Sequence, residues 1–220
     1  MRLVGPTKPI PFHLNGVAIK LKTILLSLVF LISHSAFADN HLDFSLSDYC
    51  DESPEAKAQF KDGLYYHPEQ EKPYTGESIC FYKNGQPYYW GKLKGGLFHG
   101  KSTMWYENGQ KNEEGNYKDG NYDGKYTWWY ENAQIKAEAY YIGGARAGKV
   151  TWWYVNGQLK SEAMYKDGKQ NGRFTWWHEN GQIYIEGNFV DGERAGKWTW
   201  WYKDGSIIKV EHYENGVRIN

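Results

Sequence analysis

The 220-residue sequence has no net charge, few cysteines and, after residue 38, no long aliphatic run. Lys plus Arg number 26, as do Asp plus Glu, and there are two Cys. A nucleic-acid binder needs a basic excess to neutralise phosphates, so the balanced charge argues against that class. Helix bundles and doubly wound α/β folds need long Leu, Ala and Val runs, so both are excluded.

Aromatic residues and glycine are abundant instead. Aromatics make up 18% of the chain, with 11 Trp and 25 Gly, although the mean hydropathy is only −0.77. Low hydropathy alone would fit disorder, but disordered chains are poor in aromatics. Gly and Trp at this density predict an all-β fold of short strands and tight turns.

The first 38 residues have the pattern of a secretory signal peptide. Lys20 and Lys22 precede an apolar run over 23–33, and Ala36-Phe37-Ala38 is followed by Asp39. We expect cleavage between Ala38 and Asp39 and export to the bacterial periplasm or medium. The alternative is a buried helix. The run is shorter than the roughly 20 residues of a membrane span, so no span is expected after signal removal.

Export changes the charge and the expected chemistry of the cysteines. The leader holds four bases and no acid, which leaves 22 bases against 26 acids and a net charge of −4. In an oxidising compartment, Cys50 and Cys80 are predicted to form a disulfide. The alternative is two free thiols.

A 24-residue repeat organises residues 76–220. Each of six units begins with a glycine, which is position 1: Gly76, Gly100, Gly124, Gly148, Gly172 and Gly196. Four units carry Thr-Trp-Trp-aromatic at positions 4 to 7, and most have Asn-Gly at 9 and 10. An aromatic usually stands at position 18 and Gly always at 21. Such a period predicts a repeat architecture.

Each unit is predicted to be a β-hairpin, so the units form an elongated, single-layer antiparallel sheet of about twelve strands. Asn-Gly favours a type I′ turn, and Asp-Gly at positions 20 and 21 leads to the next unit. This turn pairs position 7 with 12, 5 with 14 and 3 with 16. Odd positions of the first strand and 12, 14, 16 and 18 then face the core, and small residues at 16 make room for rings.

The last unit departs from this pattern. Ile208 and Val210 fall on its polar face, whereas Lys209 and Glu211 fall inside. A three-residue loop with a bulge, which flips the second strand, is the alternative register considered for this unit.

Position 6 places one aromatic column on the polar face. After Phe81 it consists of Trp105, Trp129, Trp153, Trp177 and Trp201. Lys136 and Lys160, at position 13, are expected beside two of these rings. The column is a candidate surface for another protein, or for an envelope glycan or lipid. The alternative is cross-strand packing that stiffens a thin sheet.

Residues 39–75 are predicted to form an N-terminal cap. Ser53-Pro54-Glu55 is a helix start, and a short helix is expected to end at about Lys61. Asp62–Tyr66 then resembles part of a repeat unit.

No catalytic or metal-binding constellation stands out. The His residues lack zinc spacing, and no G-x-S-x-G occurs. His178 takes the place of a Tyr at position 7, as a ring substitute. A Glu column at position 15 is expected to pair with Lys on the same face: Glu114, Glu138, Glu162 and Glu186. We therefore expect no enzyme activity, cofactor or metal.

The unit G-K-x-T-W-W-Y-x-N-G-Q-L-K-x-E-x-x-Y-x-D-G resembles the MORN repeat, in its bacterial variant form, over about residues 62–220. The resemblance implies a twisted antiparallel sheet of hairpins and a role in interaction. Part of the variant family is labelled as YwqK-type antitoxin. We expect an exported, non-enzymatic protein–protein interaction module. The alternatives are a carbohydrate- or envelope-binding module that uses the Trp column, and an antitoxin-like neutralising protein.

Overall fold

The computed structural model describes residues 59–67 and 70–219, and this part of the chain is all-β. Its strands run in chain order: β1 Gln59–Lys61, β2 Leu64–Tyr66, β3 Gly76–Phe81, β4 Pro87–Lys94, β5 Leu97–Trp105, β6 Lys111–Lys118, β7 Asn121–Tyr122, β8 Gly124–Trp129, β9 Ile135–Ile142, β10 Ala145–Arg146, β11 Gly148–Trp153, β12 Leu159–Lys166, β13 Lys169–Trp177, β14 Ile183–Val190, β15 Glu193–Trp201, β16 Ile207–Glu214 and β17 Val217–Arg218.

The strands from β3 onward form one antiparallel sheet of fifteen strands. Its order follows the chain, except that the short strands β7 and β10 pair only with β6 and β9. Strands β1 and β2 form a separate two-stranded sheet. The predicted sheet of tandem hairpins is therefore confirmed.

The type I′ geometry that the sequence predicts for the Asn-Gly turns is found at the Asp-Gly turns instead. Asp167 and Gly168 both have positive φ, of 50° and 79°, so Asp-Gly forms the two-residue type I′ turn. At the Asn-Gly end, Gly157 has a φ of 84°. There the Tyr154 N–H donates to the Gln158 carbonyl at 2.8 Å. This closes a three-residue loop, in which a glycine at the third position is favoured.

A β-bulge follows each of these loops and resets the register. Trp152 pairs with Ser161 and Val150 with Ala163, which confirms the predicted 5–14 and 3–16 pairs. The predicted 7–12 pair is wrong, because Trp153 pairs with Leu159 and the register shifts between Trp152 and Trp153. The three-residue loop alone would flip the second strand, and the extra residue at position 13 restores its phase.

Aromatic rings from many units fill one continuous core. Its buried members include Tyr126, Tyr141, Phe174 and Trp198. Small residues at position 16 do make room, as predicted, but for the ring at position 3 of the following unit. At Gly187, a Cβ atom would overlap the Trp198 ring.

Position 23, which the sequence analysis did not single out, covers the core rings. The Tyr122 ring lies 4.7 Å from Tyr126 and 5.0 Å from Tyr141, centroid to centroid. At the junction of the fifth and sixth units, the Arg194 guanidinium lies 4.7 Å from the Trp198 ring centroid. Because this position holds Tyr in some units and Arg in others, a search for hydrophobic periodicity does not detect the column.

The sixth unit keeps the common register, so the alternative considered for it, a flipped second strand, does not occur. Trp200 pairs with Lys209 and Trp198 with Glu211. Glu211 is 6% exposed. Its carboxylate accepts a hydrogen bond from the Tyr213 hydroxyl at 2.7 Å and pairs with Lys209 and Arg218, each at 3.0 Å. At this end of the core, a compensated charge takes the place of the glycine or alanine found at position 16 of the other units.

The predicted helix does not reach Lys61. Gln59–Lys61 is a strand that pairs with Leu64–Tyr66, because Asp62 and Gly63 form another turn with positive φ, of 51° and 79°. The rest of that helix, the signal peptide and its cleavage point lie outside the described residues.

Candidate functional site: a tryptophan column on the outer face

The position-6 column lies on the face opposite the core. Trp105, Trp129, Trp153, Trp177 and Trp201 are all half-buried, and Phe81 is 39% exposed. Each stands at the end of the first strand of its unit, and the position-7 residue separates it from the three-residue loop. The column is therefore continuous across the sheet and partly open to solvent.

The bulge brings a second column beside these rings. Trp129 pairs with Ile135, and Trp153 pairs with Leu159. The same pairing recurs at Trp177–Ile183 and Trp201–Ile207. Position 12 was expected in the core, so this second column on the outer face was not predicted from the sequence. The five tryptophans with Ile135, Leu159, Ile183 and Ile207 are called the tryptophan stripe below.

A position-12 side chain also contacts the tryptophan of the next unit. The Lys111 ammonium lies 5.5 Å from the centroid of the Trp129 ring. In the later units the corresponding residue is aliphatic, and Ile135 and Leu159 are 38% and 37% exposed. The stripe therefore alternates rings with aliphatic side chains and is broader than a single aromatic column.

The two lysines expected beside the tryptophans lie elsewhere. Lys136 stands over the ring of Tyr130 at 5.8 Å, and Lys160 over that of Tyr154 at 5.6 Å. Both are the extra residue of the bulge, which carries them to the core side of the sheet.

Ion pairs border the stripe. Lys125 pairs with Glu138 at 2.6 Å, and Lys149 with Glu162 at 2.8 Å. Equivalent pairs join Lys101 to Glu114 and Arg173 to Glu186. The predicted pairing of the Glu column with position 2 is thus confirmed, and it leaves the bordering charges neutralised.

The pKa of Glu114 shows how these pairs act. Partial burial raises this pKa, but hydrogen bonds and charge attraction from Lys111 and Lys101 outweigh the burial and lower it overall. Position-4 threonines lie buried between the pairs, and the Thr103 hydroxyl donates to the Glu114 carboxylate at 3.3 Å.

Tyrosines at position 7 hold the backbone of the stripe in place. The Tyr106 hydroxyl donates to the Trp129 carbonyl, and the Tyr130 hydroxyl to the Trp153 carbonyl, both at 2.8 Å. His178 acts as the expected ring substitute, since its Nε2 lies 3.0 Å from the Trp201 carbonyl. In the sequence, this contact corresponds to the constant spacing of 23 residues between a position-7 ring and the position-6 tryptophan of the next unit.

Asparagines at position 9 form a second link. The Asn132 amide donates to the Val155 carbonyl of the next unit at 3.2 Å, while its Oδ1 accepts from the Gln134 N–H at 3.1 Å. Asn therefore fits this position through the hydrogen bonds of its side chain, and its backbone does not adopt a positive φ.

Cys80 is completely buried at position 5 and is not a free thiol. Cys50 lies outside the described residues, so the bridge between the two stays a prediction.

Within the described ranges, no group of three or more His, Cys, Asp or Glu is placed to hold a metal ion. Those same ranges contain no helix that is long and apolar enough to span a membrane.

Comparison with known proteins identifies the repeat. A family model described as "MORN repeat variant" matches five consecutive segments: residues 98–119, 122–142, 146–167, 170–191 and 194–215. No curated protein matches the chain. A crystal structure of a GtfA/B complex bound to UDP and GlcNAc is similar over 51% of this chain and 22% of that chain. The identity is 16% and the TM-score 0.21.

Proposed function

Because this chain belongs to the MORN repeat family, in its variant form, we propose that it is an exported, non-enzymatic module whose tryptophan stripe binds another protein. MORN repeats are consistent with a repeat-based interaction module. One observation supports the stripe as the binding surface: the bulge after each loop turns a second, aliphatic column toward the tryptophans.

The stripe has the composition of a protein contact surface. Interface cores are enriched in Trp, contain few unpaired charges and are surrounded by polar groups. Here the rings alternate with aliphatic side chains, and the bordering Lys149–Glu162 type of pair leaves no net charge. An apolar row on the partner is the complementary surface.

The stripe is also preorganised. Each tryptophan after the first unit has its backbone carbonyl held by a position-7 ring of the preceding unit, as Tyr130 holds Trp153. A surface that is ordered before binding loses less conformational entropy in the complex.

Export rests on the leader over residues 1–38, with cleavage between Ala38 and Asp39. Its test is N-terminal sequencing of protein from the periplasm and the medium, where a mature chain that begins at Asp39 supports the proposal. Intact leader on cytoplasmic protein would overturn it.

The binding proposal is tested with the double variant Trp153→Ala, Trp177→Ala. We expect it to lose a partner that the wild type captures from the native envelope fraction after crosslinking, with identification by mass spectrometry. Tyr140→Ala, Met164→Ala is the matched control, because both side chains are exposed on the outer face away from the stripe, at position 17. The control should keep the partner.

Urea unfolding of both variants separates binding from folding. Equal capture by the wild type and the tryptophan variant would contradict the proposal. A tryptophan variant that unfolds without urea would assign the column to cross-strand packing instead. Retention of the wild type on peptidoglycan, with no protein captured, would favour the carbohydrate-binding alternative.

A further inference from the structure

Two units place their own lysine on an aromatic ring, on the core side of the sheet. In the third unit Lys136 lies over Tyr130, and in the fourth Lys160 lies over Tyr154. In both pairs the lysine is at position 13 and the ring at position 7. A cation over a ring face is attracted by the negative potential of the π system.

The fifth and sixth units lack this lysine. Position 13 is Tyr184 in one and Ile208 in the other, and an open groove lies between the two units. The side chains that form its floor and walls are mainly aromatic: Tyr154, Trp176, His178, Tyr184, Tyr202 and Ile208.

The rings of the groove are packed against one another but keep exposed area. Tyr184 lies 4.7 Å from His178 and 6.1 Å from Trp176, centroid to centroid. Tyr202 is 56% exposed and Ile208 40%. The position-7 ring of the sixth unit therefore lacks the lysine that covers its counterparts in the third and fourth units.

An acidic group lines the same groove. Asp204 is at its rim, where its Oδ1 accepts hydrogen bonds from the Ser206 N–H at 2.9 Å and the Ser206 hydroxyl at 2.6 Å. Lys203 is the cation that also lines the groove. The carboxylate and the ring faces together are complementary to a positively charged side chain.

We propose that this groove binds a lysine side chain of a partner peptide, in the place that the chain's own lysines occupy in the third and fourth units. The site is on the face opposite the tryptophan stripe and does not depend on it. The two surfaces therefore give separate, independently testable contacts.

A pair of short peptides tests the chemistry of the groove directly. Acetyl-Gly-Ser-Lys-Ser-Gly-amide and its norleucine counterpart have side chains of nearly equal length, and only the first is charged. Binding is followed by the NMR shift of the Trp176 indole N–H. We expect the lysine peptide to bind at least about threefold more tightly, in line with an exposed cation–π contact.

The variant Ile208→Lys places a lysine of the chain itself at position 13 of the sixth unit, as in the third and fourth units. We expect it to fold normally and to lose lysine-peptide binding, because its own ammonium takes the place over Tyr202. Val210→Lys is the matched control. It adds the same charge two residues away but on the outer face, where Val210 is 39% exposed and pairs with Thr199, so it should keep binding. Asp204→Asn should weaken binding of the lysine peptide and leave the norleucine peptide unchanged.

Several outcomes would overturn the proposal. Equal binding of the two peptides would make the groove an apolar site without charge recognition. Equal loss of binding in Val210→Lys and Ile208→Lys would show long-range repulsion instead of occupancy. A Trp176 shift with chitotriose and none with the lysine peptide would make the groove a sugar site.

Discussion

The hydroxyl of Tyr154 donates a hydrogen bond of 2.7 Å to the backbone carbonyl of Trp177, 23 residues further along the chain. The same hydroxyl accepts a bond of 3.2 Å from the Trp176 indole N–H. One side chain thus joins the fourth unit to both tryptophans of the fifth. Contacts of this kind recur at nearly every junction between units and give the sheet a uniform spacing.

Removal of this hydroxyl should weaken the junction measurably. We expect Tyr154→Phe to lower the free energy of unfolding by about 1–2 kcal/mol, because the indole N–H and one carbonyl lose their partner. Tyr202→Phe, at the exposed position-7 ring of the sixth unit, should have an effect below about 0.5 kcal/mol. Urea unfolding measures both, and equal effects would contradict the prediction.

Gly187 is required by the Trp198 ring. We expect Gly187→Ala to destabilise the protein by about 2–3 kcal/mol, because its Cβ would overlap the ring and the core is closely packed. Gly187→Ala should cost less in the Trp198→Val background than in the wild type, since the double variant reproduces the Ala139 and Val150 found in the third and fourth units. Additive effects in a double-mutant cycle would show that the two sites are uncoupled.

Glu211 should stabilise the fold above its ordinary pKa. Burial raises the pKa of this carboxyl, but hydrogen bonds from Tyr213, Lys209 and Arg218 outweigh it and hold the pKa below 4.5. Its contribution is therefore complete above about pH 4.5 and disappears as the pH falls through the lowered pKa. We expect Glu211→Gln to cost about 2–3 kcal/mol at pH 7. The cost should shrink toward pH 3 in urea unfolding.

Glu113 should show the opposite dependence. Burial raises the pKa of its carboxyl above 4.5, and hydrogen bonds from Tyr126 and Trp128 offset this only in part. Its ionised form therefore opposes folding, and this effect grows as the pH rises from about 4.5 toward the raised pKa. We expect Glu113→Gln to gain about 1 kcal/mol at pH 7 and nothing at pH 3. A loss at pH 7 would show that the ionised carboxylate is needed.

The predicted Cys50–Cys80 bridge is tested by mass spectrometry with and without reductant. A mass difference of two hydrogens and a single joined peptide are expected from the exported protein. The bridge closes a loop of about 30 residues, so its reduction should cost about 3 kcal/mol of stability. Two alkylated thiols in the unreduced protein would eliminate the bridge.

The repeat and its core were predictable from the sequence because glycines and aromatics recur every 24 residues. The 3–16 and 5–14 pairs, as in Val150 with Ala163, followed from the central position of the loop alone. The exact loop did not follow, since Asn-Gly is compatible with both turn types. Without the loop geometry, the bulge at Lys160 and the outward turn of Leu159 could not be derived.

Residues whose role depends on the neighbouring unit were also missed. Arg146 donates to the Tyr141 hydroxyl at 3.2 Å and lies over the Tyr165 ring at 5.5 Å. Nothing in a charge or hydropathy pattern distinguishes such an arginine from a solvated one. The position of Arg146 over the Tyr165 ring becomes evident only when successive hairpins are packed side by side.

The 23-residue spacing between Tyr154 and Trp177 has a consequence for how such a surface can change its length. Each added copy of the unit brings its own ring and its own acceptor carbonyl, so it extends the row by two strands, or about 10 Å. Duplication or deletion of whole units therefore changes the length of the tryptophan stripe in fixed steps. If the stripe binds a partner as proposed, the number of copies sets the length of partner surface that it can contact.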